Sequence, residues 1–157
     1  MVDIGCGREA AFLMQQKTRI AKGLGFDFRI QNAVCDNIFL FHHQPNQSLN
    51  LDVHFADAIF LNAVLEHIPE PLPLLKECKN ILKNNGVLVM TTPTPFAKPI
   101  LEFLAFQLHI INEEEILEHC HYYNLKDIQC LAEKLNMQLE KYTLFELGLN
   151  SLIVLKK

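Results

Sequence analysis

Tryptophan is absent from these 157 residues, tyrosine occurs three times, and there are only six glycines and seven prolines. Collagen-like and low-complexity organisation are excluded at once, because both need far more glycine or proline than this. The five cysteines, Cys6, Cys35, Cys78, Cys120 and Cys130, are odd in number and never spaced C-x-x-C. That pattern argues against a disulfide framework or a zinc ribbon and, with no signal peptide, points to a reduced, cytoplasmic chain. Basic charge is scarce as well: 14 Lys and Arg face 18 Asp and Glu, for a net charge of -4. With no basic block, a phosphate-tracking nucleic-acid surface is disfavoured. Long hydrophobic runs are also missing. The longest, Pro99 to Ile111, is interrupted by Glu102, Gln107 and His109, and falls well short of the ~20 residues a membrane span needs. What is present is 50% hydrophobic and 20% charged residues, enough for one domain that buries roughly 70% of its unfolded surface without disulfides or metal.

The order of elements sets the fold class. Val2-Asp3-Ile4 runs into Gly5-Cys6-Gly7, and Arg8 to Lys17 has helical composition, so the chain opens strand, glycine turn, helix. Ile20 to Phe26, Ile38 to Phe41, Ala58 to Leu61 and Val87 to Met90 are further short apolar runs, the last two of them continuous enough for strands covered on both faces. Between the last two, Leu72, Leu75, Cys78, Ile81 and Leu82 mark one face of a helix over Pro69 to Leu82, stopped by Asn84-Asn85-Gly86. Asn124 and Asp127 form a capping box for a helix to about Leu135, where Asn136 can take the left-handed cap, and Asn112 opens another helix. Alternating strands and helices imply a mostly parallel α/β sheet with ligands at the carboxyl ends of its strands. Met137 to Phe145 and Leu149 to Lys156 lie too close in sequence for a parallel crossover, so they form an antiparallel hairpin. No linker divides the chain, and 1–157 is expected to be a single domain with a substrate-side insertion at 94–123. The first strand begins at the initiator Met, which carries the expectation that an N-terminal segment is missing.

The strand exit carries the clearest chemistry. Gly5 and Gly7 allow positive φ and a close backbone approach to a ligand, while Asp27, 22 residues after Gly5 at the end of the second strand, can accept two hydrogen bonds from a ribose diol. A nucleoside-containing cofactor follows. The bland alternative is a tight turn with a helix-capping Asp, and Gly5-x-Gly7-x-x-Ala10 formally satisfies the dinucleotide fingerprint too.

Asp3 before the first glycine and the reversed last strand distinguish between these cofactors. On Val2 to Gly7, Asp27, Ala56 to Pro69, Ile81 to Pro93 and the tail at Phe145 to Asn150, the sequence resembles the class I S-adenosylmethionine-dependent methyltransferases, in the branch that includes ubiquinone-biosynthesis methyltransferases. The resemblance covers almost the whole chain and implies a Rossmann-like, mostly parallel seven-stranded sheet with an antiparallel C-terminal hairpin. It implies S-adenosylmethionine as cofactor, with Asp3, Gly5 and Gly7 at its methionine end and Asp27 on the ribose hydroxyls. Phe28 would lie against the adenine, Gln44 or His43 would replace the acid that meets the adenine amino group, and Asn62 would stand near the methionyl group and the acceptor. Glu9 occupies the place of the third glycine, in what reads as the first helical turn.

Glu66-His67 borders that site in the resembled branch. His67 could take a proton from an acceptor hydroxyl, or the pair could simply brace the loop before Pro69. His119-Cys120-His121 lacks partners at ligand spacing, so no metal is expected; His121 and Tyr123 are placed on the substrate side of the cleft. Pro99 to Ile111 reads as a lid or a pocket wall for a hydrophobic acceptor, or as packing on the sheet edge or between copies. The expected function is methyl transfer to a small-molecule acceptor. The alternatives are a non-catalytic cofactor-binding module and a nicotinamide-dependent oxidoreductase.

Overall fold

Strand β1 (Val2–Ile4) is only three residues long, yet all three are buried. Its position explains this. In the computed structural model, which describes residues 1–45, 47–110 and 112–157 apart from the side chain of Glu115, β1 lies between two parallel neighbours, β2 (Gly23–Asp27) and β5 (Ala56–Asn62). Between β2 and β5 in sequence come β3 (Ala33–Cys35) and β4 (Ile38–His42), and after β5 come β6 (Leu82–Pro93), β7 (Gln138–Phe145) and β8 (Asn150–Lys156). The sheet order is β3-β4-β2-β1-β5-β6-β8-β7. β4 extends the parallel set beyond β2, and β6 extends it beyond β5. The tail strands are antiparallel, β8 against β6 and β7 against β8, as the short turn between them requires.

The sheet has eight strands rather than the expected seven. The extra one, β3, is antiparallel to edge strand β4 through the two-residue turn Asp36-Asn37, where Asp36 adopts φ 56°. All three of its residues are exposed, so it carries no alternation of apolar and polar residues that a sequence reading could detect.

From β1 the chain steps one way to β2 and β4 and the other way to β5 and β6, which makes the carboxyl end of β1, next to β5, the topological switch point. Helices α2 (Pro71–Ile81) and α5 (Leu125–Leu135) cover one face. Leu75, Cys78 and Ile81 of α2, with Ile128, Leu131 and Leu135 of α5, join Val2, Ile4, Phe26, Ile59, Leu61, Leu88, Met90 and Ile153 of the sheet in one core. The other face is thinner. There α1 (Ala11–Gln15) packs with Cys6, Ala10, Leu13, Ile30 and Ile38. The two β2 glycines lie under it: a Cβ at Gly25 would stand 3.0 Å from Cys6 Sγ and one at Gly23 would stand 2.9 Å from Leu13 Cδ1.

Helix boundaries differ from the periodicity in instructive ways. α1 begins at Ala11, not Arg8, because Ala10 adopts a left-handed conformation at φ 45° and closes a turn onto the Gly7 carbonyl. Glu9 is therefore exposed in that turn, outside the helix. α2 stops at Ile81, since Leu82 is already extended and pairs with Ala56. The capping box at Asn124 and the left-handed Asn136 cap both form as the sequence indicates. Asn112 caps the short α4 (Glu113–Leu117) by accepting from the Glu114 N–H. Ile111, at the end of the expected apolar segment, and Asn46, in the polar loop after β4, lie outside the described residues. Pro99 to Phe106 of that segment lie in α3 (Ala97–Phe106) and Gln107 to Ile110 follow it outside the helix, with Phe96, Phe103, Leu108 and Ile110 exposed. Among the described residues no helix is long and apolar enough to cross a membrane.

Candidate functional site

The turn leaving β1 needs glycine for two different reasons. Gly5 has φ +71°, and a Cβ there would stand 2.4 Å from Val64 Cγ2, so both backbone and space demand glycine. Gly7 has φ +75° but open space within 4 Å of where its Cβ would lie. The N–H groups of Gly5 and Cys6 both donate to the Phe26 carbonyl, at 2.8 and 3.2 Å, which locks the turn against the end of β2.

Two carboxylates flank this turn. Asp3 is 1% exposed and its Oδ1 has no hydrogen-bond partner. Burial, reinforced by the charge of Asp27, pushes its pKa up to about 7. Asp27 is as deeply placed but fully paired. Its Oδ2 accepts from the Gly7 N–H at 2.8 Å, its Oδ1 accepts from the Arg29 N–H at 2.8 Å, and the Arg29 guanidinium adds bonds of 3.1 Å to Oδ1 and 3.2 Å to Oδ2. Burial opposes the charge, but these donors outweigh it and hold the carboxyl below its ordinary range. Phe28 is 51% exposed beside them, with the Arg29 guanidinium carbon 5.3 Å from its ring centroid. Gln44 is exposed in the loop after β4, its Nε2 3.4 Å from His42 Nε2, while the His43 ring packs edge-on against Phe26 at 5.5 Å.

Across the switch point, Asn62 ends β5, half-buried and in register with Thr91 of β6. The chain then turns through Ala63, at φ 52°, into a single 3₁₀ turn, Leu65–His67. Glu66 is 2% exposed, its Oε2 is unpartnered, and burial pushes its pKa up to about 7. His67 Nδ1 is likewise buried and unpartnered, and its ring meets that of His119 edge-on at 4.8 Å. His119 lies 3.1 Å from the Tyr122 hydroxyl through Nδ1, and the Cys120 N–H donates to the Glu66 carbonyl at 2.7 Å. The segment around His119 is thus fastened onto the turn that carries His67.

His121 and Tyr123 follow on the same segment, His121 exposed and Tyr123 packed into the main core. His121 Nε2 is 2.9 Å from the Pro69 carbonyl oxygen. Tyr123 is 7% exposed, and burial, followed by the nearby carboxylates, raises its hydroxyl to about 12. Both line a cavity of about 300 Å³ with Asp127, Cys130 and Lys134 of α5.

Asp3, Gly5, Gly7, Asp27 and Phe28 therefore cluster at one side of the switch point, and Asn62 and His67 come from the β5 side. The site also contains groups that motif reading did not single out. Arg29 lies two residues beyond Asp27, a spacing that could have suggested a shared face. His119 comes next to His67 only through tertiary packing. Glu66, His67 and His119 bring three donor atoms within 4.8 Å of one another, a set able to hold a divalent cation. The contiguous His119-Cys120-His121 run hides that set, because its members come from two segments.

The orphaned Asp3 oxygen and the open space at Gly7 are what a cofactor with a hydrogen-bond donor at one end and a close-lying backbone contact would require. Comparison with known proteins bears on its identity. The family model described as a methyltransferase domain matches residues 1–142.

The chain belongs to the methyltransferase-domain family.

Membership implies S-adenosylmethionine as the cofactor. Among curated relatives, the ubiquinone biosynthesis O-methyltransferase of Haemophilus ducreyi is 27% identical over 131 residues, covering 75% of this chain and 52% of that protein. The protein of the same name from Glaesserella parasuis is 37% identical over 67 residues, 43% of this chain and 26% of that one. The chain thus spans about a quarter to a half of the length of these relatives. Among solved structures, a methyltransferase of Haloferax volcanii in complex with the Trm112 methyltransferase activator superposes with a TM-score of 0.79 at 14% identity, over 99% of this chain and 80% of that one. The S-adenosylmethionine dependent methyltransferase of Mesorhizobium loti gives 0.74 at 14% identity, over 99% and 89%. At such identities the superpositions establish the Rossmann-like methyltransferase fold.

Proposed function

We propose that this chain transfers a methyl group from S-adenosylmethionine to a small-molecule acceptor, as a single domain over 1–157 whose 94–123 insertion forms the acceptor side. The observation that carries the reading is the buried, unpartnered Asp3 carboxyl beside the open Gly7 turn at the switch point. When bound, S-adenosylmethionine supplies an electrophilic sulfonium methyl group.

The chain's own groups do the rest. Asp3 accepts a hydrogen bond from the cofactor's amino-acid end and, with a pKa of about 7, changes charge near neutrality. Gly5 and Gly7 keep the backbone low enough for close approach. Asp27 holds the ribose hydroxyls, Phe28 offers its face to the adenine, and Gln44 offers a side-chain oxygen to the adenine amino group. Asn62 stands at the mouth of β5, where the acceptor meets the methyl group. His67 takes the proton of an acceptor hydroxyl. Aligning the acceptor and excluding water supply much of the acceleration in such a displacement, which asks little more of the protein.

A small acceptor is favoured by the net charge of -4 and the lack of a basic block. A hydrophobic one is favoured by the exposed Phe96, Phe103, Leu108 and Ile110 on and after α3. The names of the curated relatives, O-methyltransferases, favour an oxygen as the atom methylated. The five free cysteines suit a reducing, cytoplasmic compartment.

Calorimetric titration with S-adenosylhomocysteine, with NADH as control, tests the cofactor. Binding of the former alone supports the reading, and tighter binding of NADH would replace it with a nicotinamide-dependent oxidoreductase. A second reading, a cofactor-binding module without turnover, draws on Glu9 in the place of the third glycine and on Gln44 in the place of the acid that meets the adenine amino group. A methylated product from any acceptor would reject it.

A further inference from the structure

A carboxylate offers about four lone-pair sites. Asp27 has all of them in use: the Gly7 N–H and one guanidinium nitrogen of Arg29 on Oδ2, and the Arg29 N–H and Nε on Oδ1. Its side chain is 1% exposed, whereas that of Arg29 is 42% exposed. Two of the four donors are backbone groups of the glycine turn and of β2's exit, so they cannot leave without unfolding the turn. The other two sit on one flexible side chain. A ribose diol that binds Asp27 must therefore take the place of the Arg29 guanidinium.

We propose that Arg29 is an exchangeable latch on the ribose-binding carboxylate, a residue that sets cofactor affinity by competing for Asp27. This rests on the cofactor-site reading above. The guanidinium also lies 5.3 Å from the centroid of the exposed Phe28 ring, so the latch sits beside the ring proposed to meet the adenine. The bidentate geometry is specific to arginine, because a lysine ammonium is a point charge and cannot span both oxygens. In the free protein the latch keeps a buried carboxylate ionised, oriented and neutralised. In the bound protein the ribose hydroxyls take over those bonds, and the free-energy difference between the two partners appears as reduced affinity.

The test is titration of the full chain and of Arg29→Ala and Arg29→Lys with S-adenosylhomocysteine, with far-ultraviolet circular dichroism confirming that each variant is folded. If Arg29 competes, Arg29→Ala binds roughly three- to tenfold more tightly, since the binding-competent state no longer has to be released from the latch. Arg29→Lys falls between. Added salt from about 0.05 to about 0.5 M should tighten binding to the wild type by screening the part-exposed pair, and leave Arg29→Ala nearly unchanged. In a ¹⁵N spectrum of the arginine side chains, the Arg29 Nε signal should be protected in the free protein and lose that protection when the ligand is added. Equal or weaker binding by a folded Arg29→Ala overturns the latch while leaving the cofactor site intact. Absence of binding by all three proteins overturns the cofactor reading itself, and the latch with it.

Discussion

The backbone N–H of Gly7 donates to Oδ2 of Asp27 at 2.8 Å, so the glycine turn after β1 and the acid ending β2 form one unit rather than two separate motifs. A change on either side of that bond is felt by the other.

Removing the carboxylate shows this most directly. Asp27→Ala deletes the ribose acceptor and leaves the Gly7 N–H unpaired in a half-buried place. The expected outcome is a loss of S-adenosylhomocysteine affinity of about 2 kcal/mol, together with a loss of folding stability of about 1–3 kcal/mol. Calorimetry reads the first and urea unfolding the second. Affinity unchanged in a folded Asp27→Ala would place the ribose elsewhere.

Gly5 and Gly7 should respond differently to alanine. At Gly5 the new methyl group would meet Val64 Cγ2 at 2.4 Å on top of a positive φ, whereas at Gly7 only the positive φ opposes it. Gly5→Ala is expected to cost more than about 2 kcal/mol and Gly7→Ala about 1 kcal/mol. Adding Val64→Ala should recover part of the first loss and none of the second. Urea denaturation of the four proteins checks the ordering.

Asp3 makes stability depend on pH with a definite sign. Its folded pKa of about 7 lies above the ordinary 3.8, so between those values the folded protein holds a proton that the unfolded chain has lost. Stability is therefore highest at the acid end of that window and falls as pH rises through it. Glu66, raised from 4.5 to about 7, acts in the same direction. Asp3→Asn removes its share of the slope, and should be more stable than the wild type at pH 8 by on the order of 1–3 kcal/mol, while binding S-adenosylhomocysteine more weakly. Thermal unfolding from pH 4 to pH 8 measures it; parallel profiles for the two proteins would show that Asp3 is not the group titrating.

His67 is testable on any acceptor that is turned over. His67→Ala should lower kcat by roughly a hundredfold or more if the imidazole accepts the proton, and abolish the acid limb of the pH–rate profile, with S-adenosylhomocysteine affinity nearly unchanged. A residue that only braces the loop would instead lower thermal stability and leave the profile's shape intact. His119→Ala, which removes the ring 4.8 Å from His67, should shift the pH profile without abolishing it.

The sequence by itself determined the alternation of strands and helices, the glycine turn with Asp3 and Asp27, the capping box at Asn124 and the antiparallel tail. Each of these is local: a periodicity, a turn chemistry or a connection too short for a crossover, written in consecutive residues. The methyltransferase family was legible on the same grounds, because its motifs lie in order along the chain. Tertiary structure decided what depends on partners distant in sequence. The exposed β3 exists only because β4 offers it an edge. The first helix begins late because Ala10 must turn left-handed to bring Leu13 over Gly23 and Gly25. Arg29 closes on Asp27, and His119 packs against His67 from 52 residues away. Such contacts arise from the folding of the whole sheet, in which burial strips solvent from Asp3 and Glu66 and turns ordinary carboxyls into groups that titrate near neutrality.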